Sequence, residues 1–203
     1  AGVAVFGPDA QGAQLEGSKT YSKEFMQANG IPTARYGSFT ELEPALEYVH
    51  ELGAPVVVKA DGLAAGKGVV VADTIEVAEN AVRSCFDGAF GSAGSKVLVE
   101  ECLTGPECSL LAFVSGGKAH CMATAQDHKR AFDGDRGPNT GGMGVYSPVP
   151  IVTDKELADM THMMKVAAAA TAREPFKNDY RGVLYGGFML TPEGPKVLEY
   201  LSL

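Results

Sequence analysis

Residues 59–69 read KADGLAAGKGV, and the kind of loop they form decides the fold. Three residues rather than four separate Gly62 from Gly66, and Gly68 stands where a Walker A loop needs Ser or Thr. The dinucleotide pattern G-x-G-x-x-G also fails, because Val71 occupies the place of its third glycine. Both motifs lead from a strand into a helix, whereas this stretch leads into the β-branched run VVVA. The sequence therefore predicts a loop that joins strand to strand, at the tip of a hairpin.

Two interpretations of this loop stay open on the residues alone. Its glycines allow backbone N–H groups to turn toward an anion, which would make it a mobile flap over phosphates. Lys59, at the end of a strand, would then be a fixed phosphate contact, held better than Lys67 on the loop. The alternative is a glycine-rich hairpin with exposed lysines. The loop is longer and richer in glycine than a tight hairpin needs, which favours the flap.

The neighbouring segments predict a compact β-α-β-β-α-β unit, a split arrangement seen in ferredoxin-like subdomains. Hydrophobic periodicity predicts its strands at 34–39, 55–59, 68–72 and 96–101, and its helices at 41–52 and 75–86. Thr40 with Glu43, and Asp73 with Glu76, have the spacing of capping boxes for the two helices.

Outside this unit the pattern predicts a further set of elements. They are a buried strand at 3–6, a helix from Ser18 to Asn29, paired strands at 107–115 and 118–125, a helix at 154–172, and final strands at 182–190 and 195–201. Residues 126–148 lose periodicity and are rich in Gly, Asp and Arg. A stretch that long without regular structure is typical of a functional loop.

Composition narrows the class of protein. The 203 residues carry a formal net charge of −8, which argues against a general nucleic-acid binder. No apolar run approaches the length of a membrane span, and AGVAVFGPD lacks the features of a signal peptide. The four cysteines show no CxxC spacing and the four histidines no HExxH, which predicts reduced thiols in a cytoplasmic protein without a zinc site.

Charged residues gather at three further places. Glu100, Glu101 and Glu107 surround a strand end, and strand alternation sends Glu100 and Glu101 to opposite faces. Such carboxylates could bind a base or ribose, or could lie solvated at a sheet edge. Glu199 lies within an apolar strand, where a carboxylate needs a partner such as magnesium, a lysine or water.

The third place is a basic cluster within the irregular stretch. Cations there suit an anionic substrate, while Asp and Asn suit an amine or a hydroxyl group; a charged surface loop is the alternative. The residues concerned are His128, Lys129, Arg130 and Arg136, with Asp127, Asp133, Asp135 and Asn139.

In order and spacing these segments resemble the ATP-grasp fold, and more narrowly the glycinamide ribonucleotide synthetases, also called phosphoribosylamine–glycine ligases. The resemblance covers essentially the whole chain. The stretches that carry it are QLEGSK (14–19), KADGLAAGKGV (59–69), VEE (99–101), AQDHKR (125–130), GPNTGGMG (137–144) and VLEY (197–200). AQDHKR together with GPNTGGMG is specific to this family among ATP-grasp ligases.

The resemblance implies an α/β (α+β) fold of two lobes with ATP between them. Residues 31–101, with the β-α-β-β-α-β subdomain, would form the small lobe, and 102–203 with 1–30 the large lobe. It also implies ligation of glycine to 5-phosphoribosylamine in purine synthesis, through a glycyl phosphate, with ATP and Mg²⁺ or Mn²⁺. The expected molecule is a monomer that acts on small molecules, not on nucleic acid or membranes.

Residue roles follow from the same resemblance. Lys19 and Lys59 match phosphate-binding lysines, and the loop around Gly62, Gly66, Lys67 and Gly68 matches the flap. The adenine segment corresponds to Glu100, Glu101, Cys102 and Leu103, and the ribose contact to Glu107. The substrate-facing loops hold Asp127, Lys129, Arg130 and Asn139, of which Arg130 and Asn139 are the expected catalytic residues. Glu199 matches a magnesium ligand.

Two departures from the family pattern leave a second hypothesis open. The family continues after its LEY or LEF with a metal-binding Asn, whereas Leu201 follows Tyr200 here. Family members also carry domains before and after this region. The chain is therefore expected to be the central part of a longer ligase, and the alternative is an ATP-binding fragment without ligase activity of its own.

Overall fold

The computed structural model of the protein describes residues 3–62, 68–134, 136–178 and 180–202. The chain divides into two compact units. The smaller unit contains Gly17–Glu24 and Thr33–Leu103; the larger contains the described residues up to Glu16, Phe25–Pro32 and those from Thr104 onward. Residues 17–24, grouped with the large lobe by the sequence, thus lie in the smaller unit.

Two helices open the chain, α1 (Gln14–Gly17) and α2 (Lys19–Ala28). The hydroxyl oxygen of Ser18 accepts a hydrogen bond from the Tyr21 N–H at 3.1 Å, which confirms Ser18 as the cap of α2. The elements that lie wholly within the smaller unit are β1 (Tyr36–Phe39), α3 (Leu42–Leu52), β2 (Val56–Ala60), β3 (Val69–Ala72), α4 (Ile75–Phe86), a 3₁₀ helix (Gly91–Ser95) and β4 (Val97–Glu101).

The predicted β-α-β-β-α-β order is therefore confirmed, and the sheet it builds is antiparallel with the strand order β1-β4-β2-β3. β4 separates the two strands that α3 connects, and β2 separates the two that α4 connects, so both crossovers are split. Alternate residues of β2 and β4 pack with α3 and α4 in one apolar core, which includes Val56, Val58, Val97 and Val99. The side chains on the opposite face of the sheet lie outside this core.

Both predicted capping boxes of this unit are wrong in detail. α3 is preceded by Glu41, whose side chain makes no capping bond. α4 is capped by Thr74, whose side chain accepts from the Val77 N–H, one residue after the predicted Asp73. A helix start is fixed by backbone dihedrals at one residue, so a cap signal repeated at neighbouring positions does not select between them.

The larger unit contains a four-stranded antiparallel sheet in the order β12-β11-β5-β6. Its strands are β5 (Glu107–Ser115), β6 (Lys118–Cys121), β11 (Gly182–Thr191) and β12 (Gly194–Ser202). Helix α5 (Asp154–Ala170) packs on this sheet through buried Met and Ala side chains. Between β6 and α5 lie four short strands in two ribbons, β7 (Gln126–Asp127) with β10 (Val145–Tyr146), and β8 (Arg130–Phe132) with β9 (Arg136–Asn139).

The predicted buried strand at 3–6 is wrong. These residues form no strand, and Val3 and Val5 are 75% and 78% exposed. A β-branched run becomes a strand only where another strand can pair with it, and here Phe6 instead contacts the ring of Phe113, with centroids 6.3 Å apart. Within the described ranges, no helix has the length and hydropathy to cross a membrane.

Candidate functional site

The polar face of the smaller sheet carries a buried ionic cluster formed by Lys23, Lys59 and Glu100, here called the lysine–glutamate cluster. Strand register places Lys59 of β2 and Glu100 of β4 on the same face, away from α3 and α4. Lys23 reaches the same carboxylate from α2. The Nζ atoms of Lys23 and Lys59 lie 3.0 Å and 3.1 Å from Glu100 Oε2.

Burial and ion pairing act in opposite directions on the pKa values of this cluster. Burial alone would raise the pKa of Glu100, but Lys59 and Lys23 outweigh it and hold that pKa below its ordinary value. Burial lowers the pKa of Lys23 to about 8, in spite of the attraction of Glu100. Oε1 of Glu100 is buried and has no hydrogen-bond partner in the described part of the chain, so it remains an available acceptor.

Glu101 points to the other side of the sheet, as the predicted alternation requires. Its carboxylate accepts from the backbone N–H and the Nε of Arg35, at 3.0 Å and 3.1 Å, in an exposed setting. Cys102 and Leu103 follow as the last residues of the smaller unit and are half-buried. The Cys102 thiol lies 3.9 Å from the Leu103 carbonyl.

The glycine-rich stretch joins β2 to β3 as an antiparallel hairpin, in which Lys59 pairs with Val69. This confirms the predicted strand-to-strand connection; Gly66 and Lys67 lie outside the described residues. Gly68 accepts a hydrogen bond from the Ala60 N–H at 2.8 Å. The described loop therefore continues the hairpin pairing beyond Lys59.

The start of this loop is fixed by several contacts. Lys19 Nζ donates to the Gly62 carbonyl at 3.1 Å, and the Asp61 carboxylate accepts from the Thr20 N–H at 2.6 Å. A Cβ at Gly62 would lie 2.8 Å from the Cβ of Ala93, so only glycine fits there. Lys19 and Lys59 are thus both held at the entrance to the loop.

The larger unit presents a second polar group on its sheet, formed by Glu107, Asp127, Lys129, Tyr185 and Glu199 and here called the sheet-face cluster. These five residues line one small cavity, together with Ser109 and Gly187 among others. Lys129 Nζ lies 3.6 Å from Glu107 Oε2. Four predicted site residues from three separate stretches of the sequence, Glu107, Asp127, Lys129 and Glu199, therefore come together.

Tyr185 contributes a hydrogen-bonded hydroxyl group to the sheet-face cluster. Ser109 Oγ donates to the Tyr185 hydroxyl at 3.0 Å. A Cβ on Gly187 would lie 3.3 Å from that hydroxyl and 3.5 Å from Glu199 Cγ, so the absent side chain leaves a slot between the two. Burial raises the pKa of Tyr185, which stays protonated at neutral pH and able to donate.

Lys129 is the cation of this cluster. Burial alone would lower its pKa, but Tyr185 and the carboxylates of Glu107, Glu199 and Asp127 outweigh burial and leave the pKa above its ordinary value. Lys129 is therefore charged at neutral pH, and it brings a positive charge into a group of three carboxylates.

Arg130 is not among the described residues that line the cavity of the sheet-face cluster. Arg130 and Asn139 are backbone partners in the β8–β9 ribbon, and Arg130 Nη1 donates to the Gly137 carbonyl at 2.9 Å from an exposed position. Tyr146 donates to Gln126 and stacks on His128 in the neighbouring ribbon. The stretch without periodicity is thus folded by local pairs, a pattern that has no period to detect.

Glu199 is the predicted metal ligand. It is half-buried on β12, beside the slot at Gly187. Hard cations such as Mg²⁺ take carboxylate oxygens, and protein sites often supply only one or two of them beside substrate phosphates. No group of three His, Cys, Asp or Glu side chains suited to a metal occurs among the residues that the structure describes. The half-buried carboxylate of Glu199 has the donor atoms that such a site needs.

Two residues of these clusters were missed by sequence reasoning. Lys23 follows Lys19 by about one helical turn. The only sequence feature that could have indicated its burial is its position three residues before Met26, which is buried. Tyr185 lies in the apolar stretch GVLYGGFML, where an aromatic residue is expected to belong to the core. The two glycines that follow it could have indicated space beside the strand that no side chain fills.

Comparison with known proteins gives a consistent result. The family model described as "Phosphoribosylglycinamide synthetase, ATP-grasp (A) domain" matches residues 17–202. A phosphoribosylamine–glycine ligase from Allochromatium vinosum is 55% identical over 98% of this chain and 47% of its own length. One from Vibrio cholerae is 53% identical with the same coverage. The chain thus spans about half the length of the curated relatives it matches.

Comparison with solved structures agrees with the sequence comparison. A phosphoribosylamine–glycine ligase from Thermotoga maritima superimposes with a TM-score of 0.88 at 39% identity, covering 97% of this chain and 50% of that one. Biotin carboxylase from Campylobacter jejuni superimposes with a TM-score of 0.79 at 19% identity, covering 97% of this chain and 42% of that one, which shows the fold alone. The ATP-grasp fold expected from the sequence is confirmed, and the extent of the family match shows that this chain belongs to the phosphoribosylglycinamide synthetase family, as its ATP-grasp (A) domain.

Proposed function

We propose that the protein is the ATP-binding core of a ligase that joins glycine to 5-phosphoribosylamine. The observation that carries the proposal is the identity of 55% to a phosphoribosylamine–glycine ligase over 98% of the chain. The two ionic clusters supply what phosphoryl transfer needs, which is positioned charge rather than a covalent intermediate on the protein.

In the proposed reaction a carboxylate oxygen of glycine attacks the γ-phosphorus of ATP. The bond to the bridging oxygen breaks, and ADP leaves with the electron pair. The amine of phosphoribosylamine then attacks the acyl carbon of glycyl phosphate. Inorganic phosphate leaves, the nitrogen loses a proton, and glycinamide ribonucleotide remains. A flap formed by residues 61–68 would keep water from the acyl phosphate, which otherwise hydrolyses.

In the smaller unit we assign nucleotide binding. Lys19 and Lys59 hold phosphate oxygens at the loop entrance, and the stretch 61–68 would form the flap over them. Glu100 to Leu103 receive the adenine. Support for the last assignment comes from Glu100 Oε1, a buried acceptor of the kind that an exocyclic amino group requires.

In the larger unit we assign substrate and metal binding. Glu107 takes the ribose, and Asp127 and Lys129 face the substrates, with Arg130 and Asn139 supplied by the neighbouring ribbon. Glu199 would hold Mg²⁺ or Mn²⁺, which screens phosphate charge when bound. The position of Lys129 among three carboxylates supports a site for a zwitterion such as glycine, which has both an ammonium and a carboxylate group.

The test is release of phosphate from ATP by the full-length protein that contains this chain. We expect release only when glycine and phosphoribosylamine are both supplied. Equal release with an unrelated acid and amine would refute the assignment of substrates.

A second candidate function is an ATP-binding fragment without turnover. The observation that favours it is coverage, because the chain spans 47% of its Allochromatium vinosum relative. This candidate predicts that the 203-residue chain binds ATP but releases no phosphate with both substrates present, whereas the full-length protein does release it.

A further inference from the structure

Lys23 has no part in the proposed function so far, although its side chain is only 2% exposed. A buried ammonium group is unfavourable unless charge and hydrogen bonds compensate it. Lys23 has both: Glu100 at 3.0 Å and the Thr33 hydroxyl, to which Nζ donates at 2.8 Å. Its Nζ also lies 5.7 Å from the centre of the Tyr36 ring. Such a fixed cation next to a predicted phosphate-binding lysine needs an explanation.

The two lysines share one oxygen atom. Both Nζ atoms bond Oε2 of Glu100, so two positive charges face a single negative charge. The two lysines differ in freedom. Lys59 is 13% exposed and donates a hydrogen bond to Glu100, whereas Lys23 is enclosed and is also held by Thr33. Lys59 is therefore the one that can turn toward a ligand.

Movement of Lys59 toward phosphate would remove one cation from a carboxylate that is 3% exposed. Without a second cation that carboxylate would be left buried and uncompensated, and the movement would be strongly opposed. Lys23 removes this obstacle, because it stays with Glu100 whether or not Lys59 does.

We propose that Lys23 is a positioning residue of the nucleotide site: it holds the charge of Glu100 so that Lys59 is free to bind phosphate. The inference rests on the proposed function, in which Lys59 contacts ATP. In the nucleotide-free protein, Glu100 accordingly pairs with two lysines and not with Lys59 alone.

A cycle of variants tests this by ATP titration. In Lys23→Met, Glu100 keeps only Lys59, and we expect ATP to bind about tenfold more weakly, the scale of one charged hydrogen bond. In Lys23→Met/Glu100→Gln, the charge that retains Lys59 is gone, while the amide oxygen of the new side chain can still accept from adenine, so affinity should rise above that of Lys23→Met. The double variant removes one charge of each sign, so it is also the matched control for folding. Lys23→Arg keeps the cation and should bind ATP within about threefold of wild type.

A second measurement needs no nucleotide. Acetic anhydride modifies free lysine amines, and mass spectrometry reports the rate at Lys59. Relative to wild type, that rate should fall in Lys23→Met and rise in the double variant. Thermal unfolding of each variant verifies that it is folded.

The inference is overturned if Lys23→Met binds ATP as tightly as wild type, if the double variant binds no more tightly than Lys23→Met, or if the Lys59 modification rate does not change in Lys23→Met. Wild-type protein that binds no ATP at all would instead overturn the proposed function, and the modification rates would still decide whether Lys23 shares Glu100.

Discussion

Lys59 lies where the polar face of the smaller sheet meets the glycine-rich loop, and Glu100 does not depend on it alone. Lys59→Met should therefore leave the fold intact, with Lys23 still paired to Glu100. We expect ATP affinity to fall on the order of 10- to 100-fold, because charged hydrogen bonds to phosphate are lost. Equilibrium titration with ATP measures the effect, and Lys118→Met, an exposed lysine on β6, is the control. Unchanged ATP affinity in Lys59→Met would exclude its proposed role.

Gly187 tests the sheet-face cluster at the same scale. In Gly187→Ala the new Cβ would press on Tyr185 at 3.3 Å and fill the slot beside Glu199, whose Cγ it would contact at 3.5 Å. Filling the slot beside the proposed metal-binding carboxylate should restrict the positions that this carboxylate can take, and should raise the Mg²⁺ concentration needed for half-maximal activity on the order of tenfold. Magnesium titration of phosphate release measures this. Gly7→Ala, where a Cβ meets only Val5 at 3.7 Å, should leave the titration unchanged.

At the scale of elements, α5 begins with a complete capping box. The Thr153 side chain accepts from the Glu156 N–H at 3.2 Å, and the Glu156 carboxylate accepts from the Thr153 N–H at 2.8 Å. Thr153→Ala should lower the free energy of unfolding by about 1 kcal/mol. Urea unfolding measures it. Ser84→Ala, on the exposed side of α4, should change stability by less than about 0.5 kcal/mol.

The same box predicts a pH effect with a definite sign. Hydrogen bonds from the backbone and side chain of Thr153 hold the pKa of Glu156 below its ordinary value of 4.5. A carboxyl group with a lowered folded-state pKa adds stability above its ordinary pKa and loses it as pH falls through the folded value. Wild type should therefore lose more stability than Thr153→Ala between neutral pH and pH 3. Parallel losses in both proteins would contradict this.

Elements with strong periodicity were predictable from sequence, and those that depend on a partner were not. The strands Val56–Ala60 and Glu107–Ser115 lie where β-branched and apolar runs predicted them, because burial of such side chains against a core stabilises strands directly. The strand predicted at 3–6 failed because pairing, not composition, makes a strand. Lys23 was missed for a related reason: its ion-pair partner is Glu100, 77 positions away, and no local pattern reveals such a partner.

At the scale of the whole molecule, ligand binding should be visible as stability. A ligand that binds only the folded state, present at 100 times its dissociation constant, raises the free energy of unfolding by about 2.7 kcal/mol. We therefore expect ATP with magnesium to raise the melting temperature of the wild-type protein. The shift should shrink in Lys59→Met at the same ATP concentration and remain in Lys118→Met. Equal shifts in the two variants would place the nucleotide away from the lysine–glutamate cluster.

The fold of the whole molecule was more accessible from sequence than its sites were. Motifs such as KADGLAAGKGV and GPNTGGMG identified the family, whereas the contacts of each motif residue depend on side chains brought together by the sheets. Glu107 and Glu199, separated by 92 positions, line one cavity only because β11 lies between β5 and β12.

The glutamates of β4 also bear on the register in which this strand pairs within the smaller sheet. A strand made only of valine and leucine could slide by one residue and still bury apolar side chains on both faces. A slide that moves Glu100 into the place of Val99 would bury its carboxylate in the valine core under α3 and α4, at a cost of several kcal/mol. The carboxylate that pairs with both lysines therefore also disfavours this misaligned form of the sheet.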